Sequence, residues 1–232
     1  MLIGIDASRA FQKNKTGIEE YSYQVIKHLR DILKDSEVIL YCNPEVNIRP
    51  DFDLPKNWKI KNLRTPIFWT QVRLSLEMIF HPVDVLFVPA HTVPLIHPKN
   101  TIVTIHGLEY EFCPQAYAFW GRLYMRWSIR NSCRWAKKII AVSGNTKKDL
   151  QKLYRVPKEK IEVIYEGYEK KSAFSKLKYK MLLFVGRLEE RKNISGIIGA
   201  FETLKEKYRV DHKLVLAGRF GYGEENIKRK CD

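Results

Sequence analysis

Residues 184–193 read Phe184-Val185-Gly186-Arg187-Leu188-Glu189-Glu190-Arg191-Lys192-Asn193. An apolar run that is typical of a buried strand precedes this stretch, and the segment after it has apolar residues recurring on one helical face. A glycine turn between such a strand and helix is typical of a βαβ unit in a parallel sheet. The turn also places Arg187, Arg191 and Lys192 where a helix begins, an arrangement that suits a diphosphate.

The same alternation of short apolar runs and longer helical segments extends through the rest of the chain. Strands are predicted near Leu2–Asp6, Glu37–Tyr41, Asp84–Val88, Thr101–Ile105, Lys138–Val142, Ile161–Tyr165, Met181–Val185 and Lys213–Ala217, and helices near Ile18–Leu33, Gln115–Trp135 and Thr146–Leu153. This order predicts an α/β protein with parallel strands. The first six strands are enough for a complete open sheet.

A polar segment without apolar periodicity, residues 166–172, predicts a linker. It divides the chain into a Rossmann-like N-terminal domain, residues 1–170, and the start of a second Rossmann-like domain, residues 178–232. The second part has two predicted strands, which cannot bury both faces of a parallel sheet. We therefore expect the second domain to be incomplete in this chain.

Composition restricts the class of protein. The chain has 232 residues, of which 45% are hydrophobic, and this is enough for a globular core. We expect no signal peptide, no membrane-spanning segment and, because the four cysteines have no C-x-x-C spacing, a reducing cytoplasmic location. The formal net charge of +15 favours anionic partners such as nucleotides, acidic glycans, nucleic acid or an anionic membrane surface. Charge alone does not select among them.

Four short segments carry candidate binding chemistry. Thr16-Gly17 follows a strand and opens a helix, so its glycine would let backbone N–H groups approach a phosphate; the alternative is a loop glycine with Thr16 as N-cap. His106 and His91 each end a strand at the carboxyl edge, where open α/β sheets bind ligands, although such a histidine is more often structural. Arg187 and Lys192 could converge on a diphosphate or form a solvated basic turn.

Five motifs in this order resemble glycosyltransferase family 4. They are Thr16-Gly17-Ile18-Glu19-Glu20-Tyr21, Thr104-Ile105-His106-Gly107-Leu108-Glu109, Ile139-Ile140-Ala141-Val142-Ser143, Val163-Ile164-Tyr165-Glu166-Gly167, and Val185-Gly186-Arg187 through Lys192-Asn193. The resemblance runs over nearly the whole chain. It implies the two-domain GT-B fold and a retaining enzyme that transfers a hexose from a nucleotide-sugar donor.

The resemblance also assigns roles to residues. It implies that His106 contacts the transferred sugar, with Glu109 as a weaker neighbour, and that the Gly17 loop faces the donor diphosphate. It implies that Arg187 and Lys192 stabilise the leaving nucleoside diphosphate without a metal. For His91 a structural role is preferred to an acceptor contact. The acceptor is expected to be a glycan or a lipid-linked molecule in cell-surface polysaccharide or glycolipid synthesis.

Several patterns are set aside as coincidental. Asp51-Phe52-Asp53 matches a D-x-D metal motif but lies in a loop between two prolines, and we expect neither a metal nor a cofactor. Glu37 and Glu45 have the E-x7-E spacing of the family's donor motif but lie in the wrong domain. Because the true motif is expected beyond residue 232, activity of this chain alone is in doubt. The alternative function is a non-catalytic basic module that binds acidic glycan, lipid or nucleic acid.

A stripe of arginines in the long predicted helix bears on where in the cell the protein acts. Arg122, Arg126, Arg130 and Arg134 recur every fourth residue and are interleaved with tryptophans. Such a helix either binds an anionic membrane surface or packs a buried tryptophan face and leaves the arginines in water. We expect peripheral attachment at the cytoplasmic membrane face, and we do not expect a nucleic-acid partner.

Overall fold

The structure is a computed structural model that describes residues 1–65, 68–168 and 180–231. The chain forms two compact units, one of Met1–Phe112 with Ala118–Gly167 and the other of Tyr168–Asp232 with Cys113–Tyr117. The predicted domain limits at residues 170 and 178 lie outside the described residues. Within the described ranges, each helix is too short or too polar to span a bilayer.

The first unit is an open parallel sheet with helices on both faces. Its elements are β1 (Leu2–Asp6), α1 (Gly17–Ile32), β2 (Glu37–Cys42), β3 (Trp58–Asn62), α2 (Ser75–Phe80), β4 (Val85–Val88), β5 (Thr101–Ile105), α3 (Glu109–Phe112), α4 (Phe119–Trp135), β6 (Lys138–Ala141), α5 (Gly144–Tyr154) and β7 (Ile161–Val163). The strand order is β3-β2-β1-β4-β5-β6-β7, and every pair is parallel. The predicted α/β, Rossmann-like class is confirmed.

The sequence analysis does not predict β3. Its first four residues alternate between apolar and lysine side chains, Asn62 ends it, and among the five residues Trp58 alone is buried. This is the pattern of an edge strand, which charged residues protect from further pairing. The predicted helix from Gln115 begins instead at Phe119, because Pro114–Ala116 forms a 3-10 turn and Ala118 is extended.

The strand order reverses at β1, so the crevice between β1 and β4 is the switch point where such sheets bind ligands. Right-handed crossovers place α1 on one face of the sheet and α2, α4 and α5 on the other. The face toward α1 is packed by the fully buried side chains of Ile5, Ile26 and Leu40. This core fixes the carboxyl ends of the central strands, which carry the candidate site.

The second unit is built on the predicted βαβ unit. β8 (Met181–Val185) and β9 (Lys213–Ala217) pair in parallel, α6 (Ile194–Tyr208) joins them, and α7 (Glu224–Cys231) follows. Leu188, Ile194, Ile198 and Ile227 form its buried cluster. Leu183 and Val185 of β8 are exposed.

Candidate active site

His106 follows β5 directly and has a fixed orientation. Its side chain is 10% exposed, its Nε2 lies 2.9 Å from the carbonyl oxygen of Pro89, and its Nδ1 lies 3.2 Å from Oε1 of Glu166. A carbonyl oxygen only accepts, so Nε2 donates. A carboxylate also only accepts, so both contacts are hydrogen bonds when both ring nitrogens carry a proton. The loops after β4, β5 and β7 thus meet at this ring.

Tyr21 of α1 completes the wall beside His106. The two rings meet edge to face with centroids 4.6 Å apart, and the Tyr21 hydroxyl lies 3.3 Å from Oγ1 of Thr104. Burial, with a further contribution from the charge of Glu166, raises the pKa of Tyr21. The phenol is therefore a neutral hydrogen-bonding group at the carboxyl edge of β5.

His91 lies against His106, with ring centroids 5.1 Å apart. Its φ of 55° is in the left-handed region, and its backbone N–H donates to the carbonyl of Thr104 at 3.0 Å. Burial first, and then the charges of His106 and Arg9, lower the pKa of His91 to about 3. Its Nδ1 is enclosed and has no partner among the described residues. The structure therefore places a neutral histidine beside His106.

Glu109 begins α3, two residues after Gly107. Its Oε2 is 2.7 Å from the position that a Cβ on Gly107 would occupy. A side chain at position 107 would thus displace the flexible carboxylate of Glu109. Gly107 and Glu109 share one small space just after His106.

The Thr16-Gly17 turn opens α1 with Thr16 as N-cap. The backbone N–H of Thr16 donates to Oε2 of Glu19 at 3.1 Å, its hydroxyl donates to the same oxygen, and Arg9 Nη1 lies 3.2 Å from Oε1. Burial alone would raise the pKa of Glu19, but the hydrogen bonds from Thr16 and the charge of Arg9 outweigh it, and the pKa is lowered. A Cβ on Gly17 would meet nothing within 4 Å. Packing therefore does not explain why position 17 is glycine.

In the second unit, two glycines bring the ends of β8 and β9 together. Gly186 has a φ of 154°, a conformation that side chains rarely adopt. A Cβ on Gly218 would lie 1.6 Å from the carbonyl oxygen of Gly186. The turn that carries the cations therefore depends on both glycines.

The three predicted cations of this turn differ in their surroundings. Arg191 donates to the buried carboxylate of Glu189 through Nε at 3.0 Å and Nη2 at 2.5 Å. Arg187 is 64% exposed, with Nε 3.8 Å from the same carboxylate. Lys192 is exposed at the end of a 3-10 turn, and no partner for its ammonium occurs among the described residues. Arg187 and Lys192 are thus available to an anion, whereas Arg191 is an internal ion-pair partner.

The D-x-D segment has a structural role at Asp51. Asp51 accepts a hydrogen bond from the Tyr23 hydroxyl at 2.5 Å, and this bond is the main reason that its pKa is lowered. Among the residues that the structure describes, no cluster of three or more His, Cys, Asp or Glu side chains suits a metal ion. Independence of a metal nevertheless stays a prediction.

The arginine stripe divides into two pairs. Arg122 donates to the carbonyl of Tyr110 at 3.0 Å, and Arg126 donates through Nε to Glu111 at 2.8 Å. Arg130 and Arg134 are exposed, and the described residues offer them no side-chain partner. The alternative of a buried tryptophan face is wrong, because Trp120 is 76% exposed.

The sequence analysis assigns no role to two acidic residues of these sites. Glu166 lies three residues after β7, so the strand-end rule that selects His106 would also have selected it. Its place in a polar segment made it part of a predicted linker instead. Glu189 is 4% exposed although it stands among charged residues, and only the fold shows that it is enclosed.

Comparison with known proteins places the chain in a family. Residues 15–171 match the family described as Glycosyltransferase Family 4, and residues 168–232 match Glycosyl transferases group 1. The chain is 27% identical over 229 residues to O-antigen chain mannosyltransferase RfbU of Salmonella typhimurium, covering 90% of this chain and 61% of that relative.

Two further relatives match a shorter part. Identity is 26% over 140 residues to O-antigen chain mannosyltransferase B of Escherichia coli, covering 55% of this chain and 37% of the relative. The chain is 30% identical over 138 residues to the uncharacterized glycosyltransferase MJ1607 of Methanocaldococcus jannaschii, covering 50% of this chain and 33% of that relative. The chain thus spans about three fifths of the first relative's length. Because the first family match covers more than half of its residues, the chain belongs to glycosyltransferase family 4.

Proposed function

We propose that this protein transfers a hexose from a nucleotide-sugar donor to a glycan or lipid-linked acceptor, with retention of anomeric configuration. The observation that carries this proposal is the oriented ring of His106 at the carboxyl edge of β5, within the residues that the family match covers. The names of two relatives support mannose as the sugar and a cell-surface polysaccharide as the product.

In the first unit, His106 is proposed to contact the transferred sugar. The contacts to Pro89 and Glu166 hold its ring in one orientation, which lowers the entropic cost of placing it against a substrate. Tyr21 and His91 offer neutral polar groups beside it. Glu109 is proposed as a weaker sugar contact. The open space around Gly17 supports a close approach of the donor diphosphate to the start of α1.

In the second unit, Arg187 and Lys192 are proposed to bind the donor diphosphate. The guanidinium offers a planar pair of donors and the ammonium a compact charge, so together they neutralise the charge that develops on the leaving group. This role needs no metal ion.

Transfer is therefore expected to continue in EDTA at the rate seen with Mg²⁺. A loss of activity in EDTA that Mn²⁺ restored would contradict the metal-free assignment.

Location is part of the proposal. A lipid-linked acceptor would hold the enzyme at the cytoplasmic face of a membrane, and the net charge of +15 favours an anionic surface. A non-catalytic binding module remains the alternative, and it predicts ligand binding without transfer.

The direct test uses purified protein, a radiolabelled mannosyl nucleotide and membranes that carry lipid-linked acceptors. Label is expected in the lipid or polysaccharide fraction, with the donor's anomeric configuration. His106→Ala is expected to lower the rate by about 100-fold, the usual cost of losing one group that stabilises a transition state. His97→Ala, at a histidine stacked on Trp135, is the matched control and should keep full activity. Equal rates for the wild type and His106→Ala would contradict the role of His106, and donor binding without any transfer by the wild type would favour the non-catalytic alternative.

A further inference from the structure

The first half of α4 exposes a contiguous apolar face. Its members are Phe119, Trp120, Leu123, Tyr124 and Trp127, which are between 43% and 76% exposed. Scattered exposed hydrophobic residues are ordinary, but five within nine positions of one helix form a patch. The opposite side of the helix, which includes Ser128 and Ser132, is buried against the unit. We call the exposed side the outer face of α4.

The outer face becomes basic toward the end of the helix. Trp120, Trp127 and Arg134 are spaced by seven residues, so they lie on nearly one line along α4. Arg130 lies beside this line, one turn before Arg134. Both guanidinium groups are exposed, and the described residues provide no partner for them. The helix therefore presents aromatic rings followed by two available cations on one side.

α2 and the segment before it also expose apolar side chains. On α2 and the π-helical segment before it, Val72, Leu76 and Ile79 are between 41% and 53% exposed. The two helices lie on the same face of the sheet and are bridged at Val93. The backbone N–H of Val93 donates to Oγ of Ser132 on α4 at 2.8 Å, and the carbonyl oxygen of Val93 accepts from Nε2 of Gln71, which precedes α2, at 3.3 Å.

We propose that the outer face of α4 docks onto an anionic lipid bilayer, with the exposed apolar side chains of Val72, Leu76 and Ile79 as a second apolar contact. Tryptophan and tyrosine favour the boundary between lipid headgroups and acyl chains, and arginines beside them reach lipid phosphates. Arg130, Arg134 and the overall positive charge select an anionic partner. The inference deepens the proposed membrane location, but its test needs neither donor nor acceptor.

The test measures binding of the full chain to phosphatidylglycerol and phosphatidylcholine vesicles by co-sedimentation at several salt concentrations. Binding is expected for phosphatidylglycerol and should weaken steeply with salt. Arg130→Gln/Arg134→Gln should weaken it by about fivefold for each arginine removed. Trp120→Ala/Trp127→Ala should weaken it by at least about tenfold. Lys34→Gln/Arg49→Gln removes equal charge at exposed positions on the α1 side and is the control.

The outcomes are distinguishable. Quenching of tryptophan fluorescence by brominated lipid in the wild type, and its reduction in Trp120→Phe/Trp127→Phe, would support insertion of the outer face. Equal binding to neutral vesicles, or an equal loss in the control, would overturn the proposal. So would a dimer that Trp120→Ala/Trp127→Ala disrupts in the absence of vesicle binding, because the surface would then join two copies. None of these outcomes bears on sugar transfer.

Discussion

The two candidate sites differ in how their polar groups are satisfied. In the first unit, His106 is 10% exposed and has partners at both ring nitrogens. In the second unit, Arg187 is 64% exposed, and among the described residues its ion-pair neighbour is the carboxylate of Glu189 at 3.8 Å. The first site is therefore organised by the unit itself, whereas the second leaves positive charge available to a ligand. Substitutions should affect orientation and rate in the first site, and affinity in the second.

The largest expected effect is a loss of stability on replacing Gly218, in contrast to Gly17. Gly218→Ala would place a Cβ 1.6 Å from a backbone oxygen, so the ends of β8 and β9 must move apart. We expect the second unit to lose about 3 kcal/mol or more of unfolding free energy. Hydrogen exchange of peptides from residues 181–231 measures this loss. Gly17→Ala, whose Cβ meets nothing, is the control, and exchange of peptides from residues 1–65 should place the first unit within about 1 kcal/mol of the wild type. Equal stabilities would show that the glycine turn is not as close as described.

The second prediction compares the contributions of Arg191 and Arg187 to the stability of the second unit. Arg191→Met removes the main partner of a buried carboxylate and should destabilise the second unit by about 2 kcal/mol. Arg187→Met removes a mostly exposed side chain and should cost less than about 0.5 kcal/mol. The same hydrogen-exchange measurement compares them. If Arg187→Met were the more destabilising change, Arg187 would be structural and not available to a ligand.

The third prediction tests the orientation of His106. Glu166→Ala removes the acceptor at Nδ1, so the transfer rate should fall about tenfold while KM for the donor changes little. Glu166 is half exposed, so thermal stability should not change. Glu162→Ala, at an exposed residue of β7, is the control. A normal rate in Glu166→Ala would remove Glu166 from the site.

The smallest effect concerns pH. His91 has a pKa of about 3 in the folded protein against an ordinary value of 6.5, so between these pH values the unfolded chain binds a proton that the folded chain does not. Stability contributed by neutral His91 is therefore lost as pH falls below about 6.5. The unfolding free energy of His91→Asn should decrease by about 1 kcal/mol less than that of the wild type between pH 7 and pH 5.5. Parallel urea titrations at the two pH values measure the difference. If the stabilities of the wild type and His91→Asn changed equally with pH, the pKa of His91 would not be lowered by burial.

The fold was largely predictable because buried parallel strands are continuous apolar runs. Six strands of the first sheet and both strands of the second unit carry this signal, whereas β3, with Lys59 and Lys61, does not. Sequence position also indicates that His106 and His91 end neighbouring strands. It does not indicate the left-handed backbone of His91, which brings its ring against His106. The enclosure of Glu189 and the division of the arginine stripe depend on packing between elements distant in sequence.

The most direct test of the account is calorimetric titration of UDP and GDP into the wild type and three single variants of equal charge. Arg187→Ala and Lys192→Ala should each weaken binding by about tenfold or more, because each removes a charge-assisted contact. Lys207→Ala, near the other end of α6, should bind as the wild type does. Loss in the first two variants alone is the predicted result. Equal affinity in all four proteins, or no binding by the wild type, would contradict the claim that the glycine turn of the second unit binds a nucleoside diphosphate.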